Sequence, residues 1–134
     1  MSRVFIDTNI VLDLLIEDRK NHDKSKQLFS YLILNNYEIV ISEDMLSTIF
    51  YVAKNKDKTL NFFQEIQDEW VISAYGKDVL SNSFTFALEN SADLEDTLQC
   101  FCAKENGCEQ IITSDKKFVL CGIKIATYDD FGIM

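Results

Sequence analysis

With 134 residues, of which 47% are apolar and 12% aromatic, the chain has the size of one domain, 1–134, with a full core, which excludes a disordered polymer. Thirteen Lys+Arg against 22 Asp+Glu leave a net charge of −9, which argues against a protein that grips phosphates with a basic surface. The best early apolar stretch, 11–16, is broken at Asp13, and Asp7 comes too early for a signal peptide, so the sequence predicts a cytoplasmic protein without a membrane span.

Val4-Phe5-Ile6 is a continuous apolar run ending at Asp7, the form of a buried parallel strand. Asp7-Thr8-Asn9 offers three capping side chains ahead of a short apolar helix over 10–16. A second helix is predicted from about 23 to 35, with Leu28, Phe29, Leu32 and Ile33 at helical spacing. Residues 37–41 read as the next strand. Ser42 reads as the cap of a third helix, where Met45, Ile49, Val52 and Ala53 recur at i, i+4, i+7 and i+8. A fourth helix over 59–68, a third strand over 70–73 and a fifth helix over 78–90 follow. The sixth helix, 93–106, has Leu94, Leu98, Phe101 and Cys102 on its core side, and Gly107 ends it in the left-handed conformation. Strands over 110–113 and, more weakly, 123–126 complete the pattern. Strands alternate with helices throughout, which predicts an α/β fold of three layers, a mainly parallel four- to five-stranded sheet flanked by helices.

Several chemistries are poorly supplied. Cys100 and Cys102 point to different faces of their helix, a poor start for a zinc site, so Cys100, Cys102, Cys108 and Cys121 are expected as reduced, partly buried thiols. There is no phosphate-cradling glycine motif, and the single histidine, His22, lies in a polar stretch unsuited to a nucleophilic triad.

In open parallel sheets, ligands bind beyond the carboxyl ends of the strands. Acids crowd those positions: Asp7 after the first strand, Glu43 and Asp44 after the second, Asp115 after the fourth, and Asp93, Glu95 and Asp96 at the start of the sixth helix. Each has a purely structural role open to it. Asp7 can cap a helix, Asp93, Glu95 and Asp96 can meet a helix dipole, and Asp115 can start a turn; Asp13 and Glu17 read as solvated helix charges. Asp96, however, shares a helix face with the small residues Cys100 and Ala103, where an acid can look into a cleft. An all-oxygen donor set without His or Cys suits Mg²⁺ or Mn²⁺, and a carboxylate cluster needs a cation to be tolerable.

Four segments in order resemble the PIN-domain family. They are Val4-Phe5-Ile6-Asp7-Thr8-Asn9, Asp93-Leu94-Glu95-Asp96-Thr97, Ile111-Ile112-Thr113-Ser114-Asp115-Lys116-Lys117-Phe118 and the closing Ala126-Thr127-Tyr128-Asp129-Asp130-Phe131. The resemblance covers residues 3–131 and implies a metal-dependent endoribonuclease of single-stranded RNA, of the type found as the VapC-like toxin of a toxin–antitoxin pair. It implies that Asp7, Asp96 and Asp115 are catalytic metal ligands for Mg²⁺ or Mn²⁺, with Asn9 and Thr113 hydrogen-bonding around them. It further implies a small basic antitoxin as partner and a homodimer. One position departs from the pattern: many active members carry a Glu where this chain has Thr48. Asp44, Glu43 and Glu95 are the carboxylates at hand to substitute for it, with Asp93 in a supporting place. The alternative expectation is a catalytically impaired PIN-fold module that binds RNA or protein; a second is an unrelated Mg²⁺-dependent phosphohydrolase.

Overall fold

The computed structural model describes residues 2–133; Met1 and Met134, the ends of the expected 1–134 domain, lie outside the described residues. In chain order the elements are β1 (Arg3–Ile6), α1 (Thr8–Leu15), α2 (His22–Leu34), β2 (Glu38–Ser42), α3 (Asp44–Val52) and α4 (Lys56–Gln67). There follow β3 (Val71–Ser73), α5 (Gly76–Asn90), α6 (Leu94–Glu105), β4 (Gln110–Ile112), β5 (Lys124–Ala126) and a closing 3₁₀ turn, Tyr128–Phe131.

Among the described residues the strands form one five-stranded sheet, all neighbours parallel, in the order β3-β2-β1-β4-β5. β1 is the central strand: Phe5 lies opposite Val40 on one side and Ile111 on the other. Covered on both faces, it has an unbroken apolar run with Val4, Phe5 and Ile6 fully buried. The chain builds outward from β1 through β2 to β3, then returns to the other flank for β4 and β5. The switch in direction falls between β1 and β4, where a ligand crevice is expected at the carboxyl ends.

Helices cover the sheet through their apolar stripes. Leu28 and Leu32 of α2 are fully buried, and Phe29 stacks on Trp70 with ring centroids 5.3 Å apart. α5 and α6 pack on each other. Gly107 ends α6 at φ +68°, its N–H donating to the Lys104 carbonyl at 3.1 Å, as the sequence predicts. No helix among the described residues is long and apolar enough to cross a membrane.

The structure corrects four sequence expectations. Ser42 caps no helix. It is the last residue of β2, paired opposite Ser73, and its Oγ accepts from the Tyr75 hydroxyl at 3.4 Å. Glu43 takes the cap position without a side-chain bond, because sheet pairing keeps Ser42 in the strand. The apolar stripe of α3 is shorter than its spacing predicts. Met45 and Ile49 are buried, but the helix ends at Val52, which is exposed. Asp13 is not solvated: it is 4% exposed, accepting from the Tyr128 hydroxyl and from Arg19 Nε, each at 2.8 Å. The closing 3₁₀ turn packs on α2 and brings the Tyr128 hydroxyl to Asp13. Glu17, as expected, stays exposed and pairs with Lys58 at 3.6 Å. Finally, Cys100 and Cys121 are joined as a disulfide across 6.4 Å between Cα atoms, because the β4–β5 loop returns over the small-residue face of α6. Cys102 and Cys108 are buried free thiols, as expected.

Candidate functional site

Asp7 stands at the carboxyl end of the central strand and is 6% exposed. One carboxylate oxygen accepts from the Thr8 N–H at 2.7 Å, capping α1; the other accepts from the Thr113 hydroxyl at 2.7 Å. It therefore bridges the crevice between β1 and β4. A carboxylate only accepts, so the Thr113 hydroxyl must donate to Asp7, leaving its own oxygen to receive the Asp115 N–H at 3.0 Å. Asp115 in turn accepts from the Lys117 N–H at 2.8 Å, which shapes the start of the β4–β5 loop. Thr113 thus ties the strand-end acid to the loop acid through one buried hydroxyl.

The second wall comes from α6. Asp93 caps it, accepting from the Asp96 N–H at 2.9 Å, while its carbonyl accepts from the Thr97 hydroxyl at 2.6 Å. This cap turns the first helical turn toward the crevice. Asp7, Asn9, Asp93, Glu95, Asp96, Asp115 and Lys117 line one open cleft of about 370 Å³. Lys117 is the single cation in that lining among the described residues.

The acids hold one another's protons. Burial pushes Asp96 up to about 6, and the charges of Asp93, Asp7, Asp115 and Glu95 add to it. Asp7 is raised by burial, against hydrogen bonds from Thr113, Thr8 and Gln99 that favour its charged form, and the charge of Asp115 raises it further. Glu95 is raised by burial and then by the charges of Asp7, Asp93 and Asp44.

The structure thus gathers Asp7, Asp96 and Asp115 with Asn9, Asp93 and Glu95, and it buries Thr113 beneath them. Glu43, Asp44 and Thr48 are exposed at or before α3 and do not line the cleft, although Asp44 lies near enough for its charge to act on Glu95. Sequence reasoning missed Gln99, which is 1% exposed with its amide beside Asp7 and its Oε1 without a partner. The available signal was its place three residues after Asp96, on the inward side of α6.

The donor chemistry fits a hard divalent cation, since every acid here offers oxygen and the cluster is strained by its own charge. Among the described residues no three His, Cys, Asp or Glu side chains meet at ligating distance. Mg²⁺ does not need that, because it keeps several waters and takes only one or two carboxylates directly.

A parallel sheet whose switch point is ringed by carboxylates defines an α/β protein with an acidic cleft. The sequence profile of the PIN domain matches residues 3–117, and the chain belongs to the PIN-domain family. Ribonuclease VapC1 of Aquifex aeolicus (strain VF5) is 33% identical over 133 residues, covering 96% of this chain and 92% of that protein. The same fold occurs in VapC20 of Mycobacterium tuberculosis, a sarcin–ricin-loop cleaving toxin, with a TM-score of 0.68 and 11% identity over 86% of this chain and 92% of that one. It also occurs in a toxin–antitoxin complex from Klebsiella pneumoniae, with a TM-score of 0.71 and 20% identity over 93% and 97% of the two chains. VapBC2 from Rickettsia felis, bound to a DNA fragment from its promoter, matches with a TM-score of 0.71 and 16% identity over 93% and 98%.

Proposed function

We propose that the chain is a Mg²⁺- or Mn²⁺-dependent endoribonuclease that hydrolyses phosphodiester bonds of single-stranded RNA, as the toxin of a toxin–antitoxin pair. The observation that carries this reading is the placement of Asp7, Asp96 and Asp115 on one cleft at the switch point of the sheet. A relative at 33% identity named as a ribonuclease, and structural neighbours described as toxins, support the same class of reaction. Asp7, Asp96 and Asp115 would hold the metal, which supplies a water of lowered pKa and offsets the phosphate charge.

The chain's own residues do the rest. The Thr113 hydroxyl fixes the orientation of Asp7 and favours its ionised form. Asn9 offers the cleft an amide donor, and Lys117 a positive charge to the substrate backbone. Glu95 and the helix-capping Asp93 are the further carboxylates of the cleft, in a chain whose third helix has Thr48 in place of the family Glu. A cytoplasmic setting, a homodimer and a small basic antitoxin complete the reading; the −9 charge provides the complement to such a partner.

Purified protein with Mn²⁺ should cleave single-stranded RNA, lose cleavage with chelator, and lose it in Asp7→Asn. Metal-independent binding of RNA without cleavage would replace this reading with the catalytically impaired module, which Thr48 favours. Turnover of small phosphate esters, with RNA left intact, would replace both with a phosphohydrolase.

A further inference from the structure

The β4–β5 loop, residues 113–123, has no regular secondary structure and carries Asp115 and Lys117 of the cleft at its start. Its beginning is held by Thr113, whose N–H donates to the Ala126 carbonyl at 2.9 Å and whose hydroxyl receives Asp115. Its far end is held by α6. Cys121 is bonded to Cys100, one helical turn beyond Asp96, and Lys104, one turn further on, donates from Nζ to the Cys121 carbonyl at 2.9 Å. The two walls of the cleft, the Asp96 helix and the Asp115 loop, are therefore joined covalently behind the acids that repel across it.

We propose that the Cys100–Cys121 bond is a redox-responsive latch that positions the Asp115 loop against α6, so that thiol–disulfide exchange sets how firmly the cleft acids are held together. Cys100 is fully buried inside α6, whereas Cys121 sits on the loop beside the outward-facing Leu120, so exchange begins from the loop side of the bond. The chemistry balances with a low-molecular-weight disulfide such as oxidised glutathione. The two thiols lose two protons and two electrons as the S–S bond forms, and the oxidant leaves as two thiols; a dithiol reductant reverses the exchange. Cys102 and Cys108 do not compete. Both are buried free thiols away from the bridge, and burial raises them, Cys108 up to about 12, which disfavours the thiolate that exchange needs.

The latch itself stands on the fold; its effect on metal rests on the proposed function. The test uses the full chain, oxidised with glutathione disulfide or reduced and desalted without oxygen, with cysteines counted by alkylation and mass spectrometry under denaturing conditions. Oxidised protein should present two alkylatable cysteines and reduced protein four. Amide hydrogen exchange of residues 114–123 should be about tenfold faster after reduction, with β1 and β2 unchanged. The double variant Cys100→Ser/Cys121→Ser should exchange fast under both conditions and lose the redox response. Mn²⁺ should raise the melting temperature of the oxidised protein more than that of the reduced one. Four alkylatable cysteines after oxidation, or equal loop exchange in both states, overturns the latch. A redox-dependent loop with Mn²⁺ shifts that are present and equal in both states overturns its coupling to the cleft. A redox-dependent loop with no Mn²⁺ shift in either state and no RNA cleavage leaves the latch standing and overturns the nuclease reading instead.

Discussion

Two aspartates of one short helix end in opposite situations. Asp7 caps α1 and Asp13 lies two residues before its end, and both are almost fully buried. Asp13 finds its compensation inside the chain: the Arg19 guanidinium and the Tyr128 hydroxyl reach its two oxygens. Asp7 receives hydrogen bonds but no cation, and it faces Asp96, Asp115 and Glu95 across the cleft. A buried carboxylate with its own partners serves the fold. One gathered with like charges is left uncompensated by the chain, and under the proposed function a cation from outside would supply what Arg19 and Tyr128 supply to Asp13.

Replacing each acid tests that difference. Asp13→Ala should lose about 3 kcal/mol in urea denaturation, because it strips the Tyr128 hydroxyl and Arg19 of their partner. The figure sits at the low end for a buried pair because Arg19 is 32% exposed. RNA cleavage per folded molecule should be unchanged, and a drop there would make Asp13 part of the site. Breaking the disulfide with Cys100→Ser/Cys121→Ser should cost about 3 kcal/mol by the same measurement, the loop-closure entropy of a bridge spanning 21 residues.

Asp7→Asn should reverse the pattern of Asp13→Ala: a small change in stability, but a loss of cleavage of at least about 100-fold, more than removal of a residue behind a metal ligand costs. Equal cleavage by the variant would place the chemistry elsewhere.

The smallest expected effect is the most diagnostic. Asp96 has a folded-state pKa of about 6 against 3.8 for the free group, so the folded protein binds that proton more tightly than the unfolded chain. Its destabilising influence is full above pH 6 and is relieved as pH falls through that value towards 4. Metal-free Asp96→Asn should therefore be more stable at neutral pH by ~1 kcal/mol, a shift discounted because the side chain is only half-buried. The parent should gain on the variant as pH falls from about 6 to about 4. Mn²⁺ should raise the melting temperature of the parent and hardly that of the variant, as binding linkage requires. A variant less stable than the parent at pH 7 would make Asp96 a structural residue like Asp13.

What was legible in the sequence is what local physics decides. The unbroken Val4-Phe5-Ile6 run, the caps at Asp7 and Asp93, and Gly107 at the end of α6 each depend on residues a few positions away. The alternation of strand and helix then left a mostly parallel sheet as the natural solution, and its carboxyl edge as the place to look. What the sequence alone could not decide depends on distant partners. Ser42 stays in the sheet because Ser73 pairs with it, and Asp13 is buried because Tyr128 arrives from 115 residues away. Cys100 meets Cys121 because the β4–β5 loop folds back over α6, and Gln99 lies beside Asp7 only once α6 docks on the sheet against β2 and β4. Helical and strand patterns report which face of an element is inward, but side-chain chemistry at that face is set by whatever the chain brings to meet it.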